Sequence, residues 1–404
     1  MRTRGVAGLV VTVVALAAGL VPGAGAAAAD GEVIAGSYIV TVHDGVAPDA
    51  VAGDHGRRLG AAVSHVYRHS ARGYAGRMSA SAARAAARDG RVRAVVADRV
   101  VQISAPKGGG GSTPAVEAPT GVRRVYGGAA VGAGVPVAVI DTGIDLSHPD
   151  LVVASTGVNC SSGTSYSDGN GHGTHVAGTI GARADGRGVL GVAPGTVMHP
   201  VRVLNNAGSG SWSSIICGID WVTARVATIK VANMSLGGTG TEGSCTDGGL
   251  REAICRSVAA GVTHVVAAGN ESDNAANHVP AAYDEVITVS ALADSNGAPG
   301  GTWAATCRTD QEETLADFSN FGADVDLIAP GVCINSTWKG GGYKTISGTS
   351  MASPHVAAGA ALYLARHAES TPAQVKAGLQ LAGTLDWAGD ADGFKEPLLK
   401  VDTL

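Results

Sequence analysis

Four residues of this chain, a serine, a histidine, an aspartate and an asparagine, stand in local contexts that together could do chemistry. Ser350 lies in Gly348-Thr-Ser-Met-Ala-Ser-Pro-His355, between a glycine turn and a helix-like run to Arg366. A serine so placed exposes its Oγ at a helix N-terminus, where unpaired backbone N–H groups and the positive end of the dipole stabilise an anion. The hydroxyl is a weak nucleophile and needs an adjacent base to take its proton. His172, in Gly171-His-Gly-Thr-His-Val-Ala-Gly-Thr179, is the candidate, because imidazole titrates near neutrality. Asp141 ends a strand-like segment, Val139-Ile-Asp-Thr-Gly143, and a buried carboxylate there would fix the tautomer and orientation of the ring. Asn270 ends another, Ala267-Ala-Gly-Asn270, with a side-chain amide that can donate a hydrogen bond. Taken singly, each has an ordinary reading: a helix cap, a helix-start histidine, a strand-end turn, a Gly-Asn turn. Together they describe acyl transfer through a serine ester.

Such a set has to be assembled by elements far apart in the chain. The segments 135–140, 199–204, 230–236, 263–268, 286–291 and 325–329 are β-branched, apolar runs that read as buried strands. The segments 172–182, 213–227, 250–260 and 350–366 read as helices between or after them. This alternation predicts an α/β fold: a doubly wound, mostly parallel sheet with helices on both faces. In such sheets ligands bind beyond the carboxyl ends of the strands, where Asp141 and Asn270 fall.

The order Asp, His, Ser is that of subtilisin. At these four motifs, and from about Pro119 to the last helix, the chain resembles the subtilisin-like serine proteases (subtilases), with the proteinase K-like branch nearest. The resemblance implies a catalytic triad of Asp141, His172 and Ser350, with Asn270 beside the Ser350 N–H as oxyanion donor. His175 does not match the catalytic position and is expected to pack beneath the site. None of the four positions is degenerate, as they would be in a non-catalytic scaffold on the same fold. Two backbones are expected to sandwich the substrate as an added strand: Leu204 through Gly208, Ser209, Gly210 and Trp212, and Ser235, Leu236, Gly237 and Gly238. Trp212 falls where the family often carries an aromatic over the pocket for the fourth residue before the scissile bond, and Ala268 and Gly269 complete the cleft. No acidic cluster flanks these two segments, which implies broad specificity for apolar or neutral residues. The resemblance asks for no catalytic cofactor but implies structural Ca²⁺. One site would take Asp150 and Asp185, with carbonyls of Arg183, Arg187 and Val189. A second would take Asp326, with carbonyls near Asp284 and Val286.

Ahead of this body, segments 37–42, 74–78 and 92–101 read as strands and 48–59 and 79–89 as helices. This order resembles the small inhibitor-type prodomain of subtilases. Arg2 and Arg4, an apolar run from Gly5 to Val21 and a small-residue tract from Ala24 to Ala29 read as a secretory signal. The chain thus divides into a signal peptide (1–29), an inhibitory prodomain (30–105), a glycine-rich flexible linker (106–118) and a catalytic domain (119–404). The prodomain carries 10 Arg against 7 acidic residues, whereas the rest from Pro106 carries 17 basic against 27 acidic residues, which favours their encounter. An acidic body argues against nucleic acid as a partner. The expected partners are protein and peptide substrates and the chain's own prodomain, with a secreted, monomeric enzyme free of the membrane after signal cleavage. Six cysteines fit export and allow 15 pairings, of which the sequential one (160–217, 245–255, 307–333) closes the shortest loops.

Overall fold

The computed structural model describes residues 31–103, 107, 109–111, 118–126, 132–300, 302, 307–389 and 392–404. The signal segment 1–29 and residues 104–106, where the prodomain is expected to end, lie outside the described residues.

The prosegment folds as β1 (Val33–Val42), α1 (Pro48–Leu59), β2 (Ala62–Tyr67), β3 (Gly73–Arg77), α2 (Ala80–Ala86) and β4 (Val92–Gln102). Its strands are antiparallel in the order β4-β1-β3-β2. Proline in the first turn starts α1, and Gly60, left-handed at φ 67°, ends it. Ser79 caps α2 by accepting from the Ala82 N–H. Val40, Val42, Val51, Tyr74, Met78 and Val92 make a small core of their own.

The body begins at α3 (Thr120–Tyr126), preceded by a short strand β5 (Gly109–Gly111). It continues as β6 (Val137–Asp141), α4 (His172–Gly181), β7 (Val197–Arg202), β8 (Ser209–Ser211), α5 (Trp212–Thr223), β9 (Val231–Met234), α6 (Leu250–Ala259), β10 (Thr263–Ala267), β11 (Ile287–Ala293), β12 (Leu327–Pro330), β13 (Ile334–Trp338), β14 (Gly342–Ile346), α7 (Thr349–Arg366) and α8 (Pro372–Ala382). Six strands are parallel in the order β12-β11-β10-β9-β6-β7. Successive side chains point to opposite faces. Val137, Val139, Val231 and Val265 pack with α4 and α7, while Ala138, Ile140, Ala232 and Val266 pack with α5 and α6. Helices therefore cover both faces of a doubly wound sheet, as the alternation predicted.

Two features differ from the sequence reading. The strand β2, the helices α3 and α8 and the β13–β14 hairpin were not foreseen, because none has strong apolar periodicity. The glycine tract expected to be a flexible linker supplies β5, which pairs antiparallel with β14 through Gly109–Ile346 and Gly111–Lys344. Glycine weakens a strand, but the edge of β14 offers the backbone bonds that hold it. The prosegment packs against the body, as an inhibitory prodomain should: β4 runs alongside β8. The cysteines pair sequentially, as Cys160–Cys217, Cys245–Cys255 and Cys307–Cys333.

Candidate active site

Asp141 is the last residue of β6 and His172 the first of α4, and the sheet brings the two together. His172 Nδ1 lies 2.9 Å and 3.0 Å from the two carboxylate oxygens of Asp141. Both side chains are within 1% of full burial. Asp168 secures the turn before α4: its Oδ1 accepts from Asn170 and Gly171 N–H and from Thr142 Oγ1, and its Oδ2 from Thr174 N–H and Oγ1. Gly171 turns there at φ 117°, and a Cβ on it would strike the Trp338 ring at 2.3 Å. Burial pushes the His172 imidazole down, but the Asp141 carboxylate, with Asp168 behind it, outweighs burial and raises its pKa above the ordinary value. His172 Nε2 is buried and has no hydrogen-bond partner among the described residues. The ring is thus held by one nitrogen and open at the other, the arrangement a general base needs.

Ser350 is the second residue of α7, where the first backbone N–H groups have no helical acceptor. Its Oγ donates to the Ser235 carbonyl at 3.2 Å, and its own carbonyl accepts from Ser235 Oγ at 2.9 Å. Asn270 Oδ1 accepts from Thr349 N–H and Oγ1, both at 2.9 Å. That leaves Asn270 Nδ2, buried and without a partner among the described residues, as a donor held beside the start of α7. A preorganised donor of this kind can stabilise charge that develops in a transition state. His175 lies beneath: its Nε2 donates to the Ile334 and Lys344 carbonyls, tying α4 to the β13–β14 hairpin, and burial with His172 nearby pushes its pKa down to about 3. It is a neutral packing residue, as the sequence implied.

The two cleft backbones hold a chain between them. β4 pairs antiparallel with β8 through Gln102–Ser209, Val101–Gly210 and Val100–Ser211. On its other side, Gln102 and Gly237 exchange N–H···O contacts of 3.4 Å each way. Ile103 N–H then donates to the Gly208 carbonyl at 2.9 Å, and Lys107 N–H to the Ser347 carbonyl at 2.9 Å, three residues before Ser350. Trp212 begins α5, and the Arg99 guanidinium lies 5.4 Å from its ring centroid. Leu204 is fully buried under the cleft, its N–H on the Asp141 carbonyl. Leu236, Gly237, Gly238, Ala268, Gly269 and Ser350 line a small cavity of about 80 Å³.

The same cavity is also lined by residues the sequence reading missed, Thr239, Ala267, Val279 and Ala281 and, with titratable side chains, Glu271 and His278. Glu271 Oε2 accepts from the Asn270 N–H at 2.8 Å and from Asn320 Nδ2 at 3.0 Å, and sits 3.5 Å from His278 Nδ1. An acidic group does therefore flank the cleft. It enters from the loop after Asn270, outside the two cleft segments. Their proximity to Asn270 in sequence was the only available signal.

The calcium candidates divide. Asp150 is buried, with Oδ2 accepting from the Val189 N–H at 3.0 Å and Oδ1 without a partner among the described residues. Burial, with Asp185 nearby, raises its pKa. An orphaned buried carboxylate oxygen in this loop fits a hard cation. Asp185 is turned aside, bonded to Arg187 N–H and to Arg187 Nη2 at 3.1 Å each. Asp326 contradicts expectation: its Oδ1 is 2.6 Å from Lys376 Nζ, and the same ammonium donates to the Asp284 and Val286 carbonyls. The oxygens expected to hold calcium hold a lysine, whose helix α8 the sequence reading had not placed.

Comparison with known proteins agrees with this geometry. Residues 132–384 match the subtilase family and residues 37–104 the peptidase inhibitor I9 family. Subtilisin DY of Bacillus licheniformis is 42% identical over 275 residues, spanning 67% of this chain and 90% of that relative. An extracellular serine proteinase of a Thermus species is 43% identical over 274 residues, spanning 67% of this chain and 60% of that relative. A crystal structure of a cold-adapted subtilisin-like serine proteinase, 37% identical, superposes with a TM-score of 0.59 over 70% of this chain and 98% of its own. The chain belongs to the subtilase family and is a subtilisin-like serine endopeptidase carrying an inhibitor I9 prodomain.

Proposed function

We propose that the chain is a secreted pre-pro-enzyme that cuts itself within residues 104–106 or at their flanks, and then hydrolyses peptide bonds through an acyl-enzyme on Ser350. In this reading His172 takes the Ser350 proton and passes it to the leaving amine. Asp141 holds the ring and stabilises the imidazolium, and Asn270 Nδ2 with the Ser350 N–H receives the oxyanion. One observation carries the reading: β4 lies between Gly210 and Gly237 as a substrate strand, and Lys107 resumes contact at Ser347. The scissile bond then lies between Ile103 and Lys107. Proline after a scissile bond fits poorly, which favours Ser104–Ala105 over Ala105–Pro106. A cleavage point upstream of the glycine tract also fits the pairing of that tract with β14.

Specificity follows from the cavity beneath Ser350. Its walls are mostly glycine and alanine, with Leu236, Val279 and Thr239, suited to small or medium neutral side chains, and Glu271 and His278 give one polar edge. Asp150 would hold a structural calcium ion whose role is to stiffen the loop after α4; no catalytic cofactor enters the reaction. The enzyme acts as a monomer on protein and peptide substrates and not on nucleic acid. The Arg-flanked apolar segment at the N-terminus supports export, and no helix among the described residues is long and apolar enough to cross a membrane.

The test is the full chain with Ser350→Ala. The wild-type protein is expected to appear as two fragments whose new N-terminus, read by mass spectrometry, lies at 104–107. The alanine variant is expected to stay intact and folded. Cleavage of that variant at the wild-type rate would refute the assignment of Ser350.

A further inference from the structure

The locus formed by Asp326 and the carbonyls of Asp284 and Val286 was expected to hold a calcium ion, and its surroundings do not fit one. Lys376 Nζ lies 2.6 Å from Asp326 Oδ1, 3.1 Å from the Val286 carbonyl and 3.3 Å from the Asp284 carbonyl. An ammonium has three donors, and here each finds an oxygen. The remaining polar atoms are also committed: Asp326 Oδ2 accepts from the Thr288 N–H at 3.0 Å, and the Asp326 carbonyl from Gln380 Nε2 at 3.2 Å. The Asp326 and Lys376 side chains are only 13% and 24% exposed. Calcium takes six to eight oxygens at about 2.3–2.6 Å, so it could enter only by expelling the lysine from the same oxygens.

We infer that Lys376 is the chain's own cation at this locus, standing where a divalent ion would otherwise be bound. It performs the mechanical task such an ion would have. Lys376 and Gln380 are one turn apart on α8, and both fasten to Asp326, just ahead of β12. Through the Asp284 and Val286 carbonyls the ammonium also fixes the loop before β11, and the residues upstream of that loop, His278, Val279 and Ala281, line the cavity beneath Ser350. The C-terminal helix thereby braces the pocket wall without a metal, so calcium supply at this locus has no bearing on stability. The inference concerns cation binding and is independent of the peptidase reading. A failure of the Ser350 test leaves it untouched, and the reverse holds too.

Calorimetry of the full chain in a Ser350→Ala background, which removes autolysis, tests the inference. Tm is recorded in EDTA and in excess calcium, and the calcium increment is the readout. The increment of the parent is expected to be unchanged by Asp326→Asn, because in the parent those oxygens bind no calcium. Lys376→Ala is expected to lower Tm in EDTA by roughly 5 °C, since it strands a partly buried carboxylate. It is also expected to enlarge the calcium increment, because the vacated oxygens now accept the ion, and adding Asp326→Asn to Lys376→Ala is expected to abolish that gain. Two results would overturn the inference: a parent increment that shrinks on Asp326→Asn, or a Lys376→Ala increment no larger than the parent's. Should Lys376→Ala not fold, the Asp326→Asn comparison in the lysine-bearing chain decides alone.

Discussion

His172 carries the clearest expectation at the scale of single residues. Its pKa is raised because Asp141 and Asp168 favour the imidazolium more than burial opposes it. Only the neutral ring can accept the Ser350 proton, and a raised pKa means that this form accumulates later as pH rises. The pH profile of kcat/KM on a peptide substrate is therefore expected to climb through an inflection above the ordinary histidine value of 6.5 and to plateau on the alkaline side. An inflection below 6.5 would mean that burial dominates and that the Asp141 pairing is weaker than the geometry indicates. Asn270 makes a second, separable expectation. Its Nδ2 has no partner among the described residues and its Oδ1 is fixed by Thr349, which leaves the donor free for the role proposed for it, on the developing oxyanion rather than on the bound peptide. Asn270→Leu is expected to lower kcat by about 10²–10³, the range known from the corresponding donor of subtilisin itself, with KM little changed. A large rise in KM with kcat intact would make it a binding residue.

At the scale of elements, the prosegment and body meet through caps and ion pairs as well as through the β4 strand. Asp98 on β4 receives the Ser213 N–H at 3.0 Å and Ser213 Oγ at 2.6 Å, a carboxylate at the N-terminus of α5. Asp220 on α5 returns the favour, accepting from the Arg68, His69 and Ser70 N–H groups. Arg93 pairs with Glu252, and Arg256 of the body pairs with Asp44 of the prosegment. The basic prosegment and acidic body thus do not meet as plain opposites; charges of both signs cross in both directions. Added in trans, residues 30–105 are expected to inhibit the mature enzyme at micromolar concentration or below. Asp98→Ala is expected to weaken that inhibition by at least about tenfold, since hydrogen bonds to a charged group contribute about 1.5–3 kcal/mol and tenfold in affinity is about 1.4 kcal/mol. Equal inhibition constants for both peptides would show that the Asp98 cap contributes nothing and that the β4 pairing and the other ion pairs carry the contact. No inhibition at any soluble concentration would reduce the segment to a spacer.

For the whole molecule, two apolar layers and three disulfides hold the body together, and the loop around Asp150 is where the proposed ion would add to them. A bound ion stabilises only the folded state, so chelation is expected to lower the temperature of thermal inactivation and to speed autolysis. Asp150→Asn is expected to remove most of that difference, because Oδ1 is the orphaned oxygen of the loop. Asp185→Ala is expected to remove little, because its carboxylate is engaged by Arg187. An EDTA-treated enzyme with unchanged inactivation would exclude a structural ion at Asp150.

The sequence by itself determined the chemistry and the frame that carries it. Asp141, His172, Asn270 and Ser350 were legible because each sits in a short motif whose glycines and helix starts are dictated by local backbone needs. The parallel sheet was legible because buried strands leave unbroken apolar runs between amphipathic helices. Tertiary structure decided whatever depends on residues distant in the chain arriving at one place. It brought Ser235 to Ser350 across 115 positions and His175 to the Lys344 carbonyl across 169. It set Glu271 and His278 into the cavity and delivered Lys376 to Asp326. It also gave the glycine tract a strand partner, which no local pattern encodes. A motif records what a residue needs from its immediate neighbours. Which cation fills a ring of oxygens, and which strand edge accepts a passing backbone, is settled only when the chain has folded and the competing partners are within reach.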